Sequence, residues 1–455
     1  MEAARLRQLL SAARLELPEG ARVELHGSDP VLQSRFPAGE AAAVALALCG
    51  SAAARIGELR ELPAQRVRVG VLEAATTLLG FLFQRVDGGF DLARHRNASI
   101  DFYRAGDERW IHLHGGFPHL CDGLLELLGC ALEREEIARA VAKYTAFELE
   151  EAVAERGLCA AAVRSQAEWA AHPQGLALAQ LPAVELRRFG EAAAQPLPAA
   201  SRPLAGLRVL DLTRVLAGPT CGRTLAEHGA EVLRVGAERL PSIEPFVVET
   251  GRGKRNAFLD LDVAADRERL RRLVREADVL CQGYRSGGLE RRGFGPQALT
   301  ELRPGIVVAE INCYGHSGPW ARRAGWEQLA QTVTGIAEAE GGSEPPRLIP
   351  AAATDYTTGY LAAFGVISAL ARRASEGGSW LVRASLCQTA MWLTRLGAEL
   401  DPAAATGLGN VASRLGSTHT AWGHLTHLAP VVEMAHTPAR WELPPAPLGT
   451  HPAAW

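Results

Sequence analysis

The sequence predicts an α/β fold: a parallel-sheet domain with helices on both faces, joined to a smaller α+β domain. Three observations carry this expectation. From residue 207 onward, short apolar strands alternate with helical segments: Leu207-Arg-Val-Leu-Asp-Leu212, a helix to about His228, then Glu231-Val-Leu-Arg-Val235. Strand, helix and strand in that order form a βαβ unit, whose crossover requires parallel strands with helices over the sheet. Before residue 200 the alternation gives way to a hairpin and three successive helices. Between the two patterns lies Gln195-Pro-Leu-Pro-Ala-Ala-Ser-Arg-Pro203, a stretch of linker composition.

The elements follow in order. An Ala-rich helix over 39–56 leads to a strand at Arg66–Val71 and a helix over 72–84. Ile100 to Leu113 reads as a hairpin turning at Ala105-Gly-Asp107. Helices near 118–131, 134–142 and 146–156 precede a short strand, Ala160-Ala-Ala-Val163. Past the linker, Gly218 and Pro219 shape the turn after the first strand, and Gly229 is a natural helix stop. Further units are a strand at Ala257–Leu261, a helix over 266–276, a strand from Asp278, a helix over 289–302 and a strand at Gly305–Ile311. The chain accordingly divides into a half-copy unit at 1–99, a small α+β domain at 100–192, a linker at 193–204, a Rossmann-like domain at 205–395 and a tail at 396–455.

A weak internal repeat crosses this division. Gly39-Glu-Ala-Ala-Ala-Val resembles Gly359-Tyr-Leu-Ala-Ala-Phe, an offset of 359 − 39 = 320. Arg68-Val-Gly-Val-Leu-Glu-Ala-Ala resembles Arg383-Ala-Ser-Leu-Cys-Gln-Thr-Ala, an offset of 383 − 68 = 315. This alignment lengthens the first copy's connecting loop by five residues and sets Arg35 opposite Asp355.

Composition narrows the function classes. At 455 residues, with 47% apolar and 22% charged side chains, the chain has the make-up of an ordinary soluble protein of two or three domains. A net charge of −3 gives no electrostatic reason to bind nucleic acid or an anionic membrane. No run of about 20 uncharged apolar residues suggests a membrane span. The charged start Met1-Glu-Ala-Ala-Arg-Leu-Arg lacks a signal-peptide centre, so a cytoplasmic location is expected. The eight cysteines include no Cys-x-x-Cys pair, which points to reduced thiols. Only Lys143 and Lys254 are lysines among 48 basic residues, so Lys254 stands out.

Asp355 is the most informative single residue. It precedes the apolar run Tyr360-Leu-Ala-Ala-Phe-Gly-Val-Ile-Ser-Ala-Leu-Ala371. An acid there is ordinarily an N-cap, worth about 1 kcal/mol. The alternative is a nucleophilic carboxylate near a helix N-terminus, able to attack an acyl carbon. His112 and His114 share one face of a strand, but two histidines without a third ligand are a weak metal signal. His316, beside Gly315, reads as incidental.

Several segments together resemble the family III CoA-transferases, a group that includes formyl-CoA transferase, carnitine CoA-transferases and α-methylacyl-CoA racemase. They are Pro203-Leu-Ala-Gly-Leu-Arg-Val-Leu-Asp-Leu-Thr-Arg-Val-Leu-Ala-Gly-Pro219, Gly229–Val235, Gly253-Lys-Arg255, Ala277–Arg285, Leu289-Glu-Arg-Arg-Gly-Phe-Gly295, Tyr314–Trp320, and Asp355 with Gly359. The ending, Thr437 to Trp455, looks similar too. The order departs from the family, because the small domain that usually follows the aspartate region reads here as residues 100–190. A circular permutation or a trimmed tandem fusion gives this arrangement.

The resemblance implies that Asp355 forms an acyl-aspartyl anhydride with an acyl-CoA and passes CoA to an acceptor acid. It implies a CoA-binding turn at Val215, Leu216, Ala217 and Gly218, and a basic pair, Lys254 and Arg255, near the CoA phosphates. Arg285 and Arg292 become neighbours of adenine or phosphate, and Glu327 and Gly359 line the pocket. Backbone N–H donors, admitted by Gly359 and Gly318, are expected to offset the effect of burial on Asp355. No permanently bound cofactor is implied, with the CoA thioester as substrate. The expected partners are an acyl-CoA, a small carboxylic acid and a second copy in an interlocked homodimer, with no nucleic acid and no membrane.

Three rivals remain. A racemase needs a histidine where this chain has Trp326, which cannot exchange a proton. A dinucleotide-dependent dehydrogenase needs Gly-x-Gly-x-x-Gly after the first strand, and Leu216-Ala-Gly-Pro219 supplies one glycine. A non-catalytic CoA-binding paralogue or subunit is the third.

Overall fold

The computed structural model describes residues 1–87, 89–90 and 97–455; Gly88 and residues 91–96 of the expected first unit lie outside them. The chain begins with α1 (Ala3–Ala13), β1 (Arg22–His26), α2 (Ala38–Leu59), β2 (Arg66–Gly70) and α3 (Val71–Thr77). A smaller unit follows: β3 (Ile100–Arg104), β4 (Trp110–His114), α4 (Pro118–Leu128), α5 (Arg134–Val141), α6 (Ala146–Glu155), β5 (Ala160–Ala162), α7 (Gln166–Ala171) and α8 (Pro173–Ala179). The large unit comprises β6 (Val184–Gly190), β7 (Arg208–Leu212), α9 (Ala217–Glu227), β8 (Glu231–Gly236), α10 (Glu244–Thr250), β9 (Lys254–Phe258), α11 (Ala264–Glu276), β10 (Val279–Gln282) and α12 (Pro296–Leu302). It continues through β11 (Val307–Asn312), α13 (Glu327–Val333), α14 (Ile336–Gly341), α15 (Ala353–Glu376), β12 (Ser379–Ser385) and α16 (Leu386–Arg395). The tail carries the hairpin β13 (Leu415–Thr420) and β14 (Gly423–Leu428), then β15 (Glu433–Met434).

The central sheet has the order β6-β12-β11-β10-β7-β8-β9, all parallel except β6, which runs antiparallel along β12. Its inner strands are buried on both faces, which explains their continuous apolar sequences. The chain leaves β7 toward β8 on one side and returns through β10 on the other, so strand order reverses between β7 and β10. Such a reversal opens a crevice at the carboxyl ends of the strands.

Four expectations are corrected. Val184–Gly190, placed in the small domain, is the edge strand of the large sheet. The strand expected at Ala257–Leu261 begins three residues earlier, at Lys254. The helix expected over 289–302 breaks because Gly293 adopts φ 84° and Pro296 restarts it as the first residue of α12. The tail is not separate either, since β15 pairs with β2.

Helix α2 has the length and hydropathy of a membrane-crossing helix, yet it is buried inside the protein. It packs along α15, and the two share a history of form. Both open helix–strand–helix segments at one offset: 353 − 38 = 315 for the helices and 386 − 71 = 315 for α16 against α3. β1 pairs parallel with β2 as β11 does with β12. No five-residue adjustment is needed, and the counterpart of Asp355 is therefore Glu40 (355 − 315 = 40), not Arg35. Each acid is the third residue of its helix. Glu40 is buried and held by Arg5, whose Nε donates to Oε2 at 2.7 Å.

Candidate active site

A cavity of about 480 Å³ opens at the reversal between β7 and β10. Leu212–Gly218 after β7 and Gly283–Arg285 after β10 form two of its walls, and Asp355 lies on it.

The loop after β7 is held from beneath. Thr213 donates its backbone N–H to Asp211 Oδ1 at 3.0 Å, and its hydroxyl donates to the same oxygen. Lys254 Nζ donates to Asp211 Oδ2 at 2.7 Å and to the Pro219 carbonyl at 2.6 Å. Lys254 is fully buried and does not line the cavity, which corrects its assignment to the CoA phosphates. The physical reason is the earlier start of β9, which turns this side chain into the sheet's helix-covered face. Arg255, next along β9, is also absent from the cavity wall.

Val215 takes φ 68°, a left-handed conformation that a β-branched residue adopts only under constraint. Leu216 then begins α9 without a side-chain cap. The first N–H groups of the helix have no acceptor within it, so Ala217 and Gly218 offer free donors along the cavity wall.

Asp355 lies in the first turn of α15, three residues past the N-cap, Ala352. Gly359, one turn on, does not line the cavity. A Cβ on Gly359 would meet the Ala217 carbonyl oxygen at 2.5 Å and Thr220 Cβ at 2.7 Å. Its bare backbone lets α15 touch α9, and this contact sets Asp355 beside the loop.

Glu327 begins α13 and shares the cavity wall. Its Oε1 accepts from Thr354 N at 3.1 Å, Thr354 Oγ1 at 3.3 Å and Gln331 Nε2 at 2.9 Å. Burial still pushes Glu327 up to about 7. Burial, then the Glu327 charge, raises Asp355 well above the usual carboxylate range. The expected offset by backbone donors is absent: among the described residues, no hydrogen bond acts on Asp355. Two acids in one desolvated space oppose each other's ionisation, so they titrate as a pair.

Away from this end the cavity is basic. Arg285 and Arg292 line it as expected, Arg285 donating to the Gly157 carbonyl at 2.6 Å and Arg292 to Asp262 at 2.6 Å. Arg214, Arg239, Arg291, Arg322 and Arg323, which no sequence signal singled out, line it as well. Arg291 and Arg322 have no acidic partner among the described residues. Adjacency to known motifs was the available signal, since Arg291 precedes Arg292 and Arg322 follows Trp320 closely. Phe117, His119 and Cys159 come from the small unit, and no sequence pattern announced them.

Trp326 is clamped between His114, with ring centres 4.3 Å apart, and Phe117 at 5.0 Å. His112 and His114 are buried and pushed down to about 4 and about 3 by that burial. Among the described residues, no group of three or more His, Cys, Asp or Glu side chains is placed to hold a metal. His316 lies 3.7 Å from Glu310, outside the cavity, as does Gly318.

Residues 204–429 match the model of CoA-transferase family III. An acetyl-coenzyme A transferase, nodX, of Hypoxylon pulicicidum is 35% identical over 337 residues, covering 66% of this chain and 56% of its own. The succinyl-CoA–L-malate CoA-transferase β subunit of Chloroflexus aurantiacus is 33% identical over 218 residues, covering 44% and 52%. Among solved structures, a CAIB/BAIF family protein from Brucella suis is 29% identical over 49% of this chain and 65% of its own, with a TM-score of 0.40. The chain thus spans little more than half the length of the curated relatives it matches. The matched segment runs from just before β7 through Asp355 to the tail, and on it the chain belongs to CoA-transferase family III.

Proposed function

We propose that the protein is an enzyme that moves CoA between an acyl-CoA thioester and a carboxylic acid, with Asp355 as nucleophile. The observation that carries the reading is a carboxylate with no hydrogen-bond partner among the described residues, in a cavity that arginines also line. The Asp355 carboxylate attacks the thioester carbonyl, the C–S bond breaks, and CoA departs as a thiolate, leaving a mixed anhydride. The thiolate then attacks the Asp355 carbonyl, releasing the donor acid and leaving CoA on Asp355. The acceptor carboxylate and the thiolate repeat both steps in reverse. The free donors of Ala217 and Gly218 stand where the oxyanion or thiolate charge develops. Arg285, Arg291, Arg292 and Arg322 suit the CoA phosphates.

Trapping tests it. Protein treated with acyl-CoA and then hydroxylamine should carry a hydroxamate at Asp355 in peptide mass spectra, and Asp355→Ala should lose transfer by at least ~10³-fold. Retained transfer in Asp355→Ala rejects the reading. Trp326, clamped in place and unable to exchange protons, argues against α-proton chemistry. A chiral 2-methylacyl-CoA incubated in D₂O should therefore gain no α-deuterium.

A further inference from the structure

Resting on that transferase reading, we infer that the indole of Trp326 is the stop that limits the length of the acyl chain. Two contacts fix what stands on either side of Asp355. On one side the Gly359 backbone abuts the Ala217 carbonyl, where a Cβ would come within 2.5 Å, and this brings the loop after β7 alongside. On the other, Thr354 donates its N–H to Glu327 Oε1 at 3.1 Å, which brings up the start of α13. Trp326 is the N-cap of α13 and lines the cavity next to Glu327. A thioester carbonyl set against Asp355 therefore directs its sulfur and its acyl chain to different walls. The free N–H groups of Ala217 and Gly218 suit the sulfur, on which negative charge develops as CoA departs. The acyl chain is left facing the α13 wall, where Trp326, Cys313, Leu386 and Phe117 present apolar groups.

The indole is held so that it cannot yield. It stacks on His114 with ring centres 4.3 Å apart and planes 18° apart, and Phe117 meets it edge-on at 5.0 Å. His114 is itself buried. A Cβ on Gly116 would stand 3.3 Å from Trp326 Cζ2, so the backbone after β4 lies against the ring as well. The Trp326 carbonyl accepts from Cys313 Sγ at 3.4 Å, which pins the backbone of the same residue. The small unit thus supplies the backing, and the large unit supplies the ring. A chain that stops short of the indole gains from burial, roughly fourfold in kcat/KM per methylene. One that reaches it meets a packed wall and loses with each further carbon.

The experiment is a donor series of acetyl-, butyryl-, hexanoyl- and octanoyl-CoA, with propionate as common acceptor and propionyl-CoA formation as readout. In the native protein, kcat/KM for octanoyl-CoA should lie at least about tenfold below that for butyryl-CoA. Trp326→Ala should raise the octanoyl-to-acetyl ratio of kcat/KM about 30-fold, and Trp326→Phe, which keeps a ring on His114, about fivefold. A rise under tenfold in Trp326→Ala overturns the inference. So does a KM increase common to all four donors with the ratio unchanged, which sets the indole against the pantetheine arm instead. Should Trp326→Ala fail to fold, the Phe variant decides, a rise under twofold counting against. No exchange and no Asp355 hydroxamate from any donor in the native protein overturns the transferase reading itself.

Discussion

The charge of Glu327 beside Asp355 governs when the nucleophile is available. Asp355 attacks only as a carboxylate, and its raised pKa means that activity falls as pH drops through the upward-shifted titration of its carboxyl. Glu327→Gln removes the repelling charge, so the acid limb of kcat/KM should move down by about one pH unit, read from a pH–rate profile. Lys254 acts differently. Replacing it with Met strands Asp211 in the core and should cost about 3–5 kcal/mol in urea unfolding. Lys254→Arg should destabilise too, because a Cβ on nearby Gly222 would already meet the ammonium at 3.0 Å. A lysine that served only CoA would leave the unliganded protein's stability unchanged. Asp355 was legible in sequence because local motif and small neighbours coincide there. Lys254 was misread because its role depends on which way a strand that begins three residues earlier turns its side chains.

At the scale of elements, the α9–α15 contact converts a glycine into active-site geometry. Gly359→Ala pushes a methyl into the Ala217 carbonyl, a backbone atom that cannot rotate away. The expected cost is about 1–3 kcal/mol of stability, with a loss of kcat larger than the rise in KM, since the donors of the loop move relative to Asp355. Strand periodicity made the parallel sheet legible from β7 to β11. The repeat was legible as well, but its register was not. Ala-rich helices match at several offsets, and only the strand and the helix that follows it fix the offset at 315. The cavity's small-unit wall, Phe117 to Cys159, had no sequence signal because it meets the site only through tertiary packing.

The buried apolar side chains form two clusters, the larger of which spans most of the chain. A continuous cluster of buried side chains runs from Leu9 to Met434, with α2 and α15 at its centre. The described residues of 1–87 that join this cluster are thus structural to the large unit, and urea should unfold the chain in a single transition followed alike by tryptophan fluorescence and circular dichroism. A buried ionic knot ties α9, α10 and the tail together: Arg252 donates to Glu249 at 2.7 Å and to the Leu428 carbonyl at 2.7 Å. Beside it, burial pushes Glu227 up to about 7. A carboxyl raised on folding stabilises fully below its unfolded pKa and loses that contribution as pH rises through the folded one. Glu227→Gln should therefore match the native protein at pH 4 and exceed it at pH 8 by roughly 3 kcal/mol in urea titrations.

Arg5 has a consequence for counting. Two halves of the chain present an acid at the same helical position, but the guanidinium on Glu40 turns one of them into a rivet. Exhaustive labelling by an activated acyl donor should saturate at one equivalent per polypeptide, and Glu40 should stay unmodified however long the incubation.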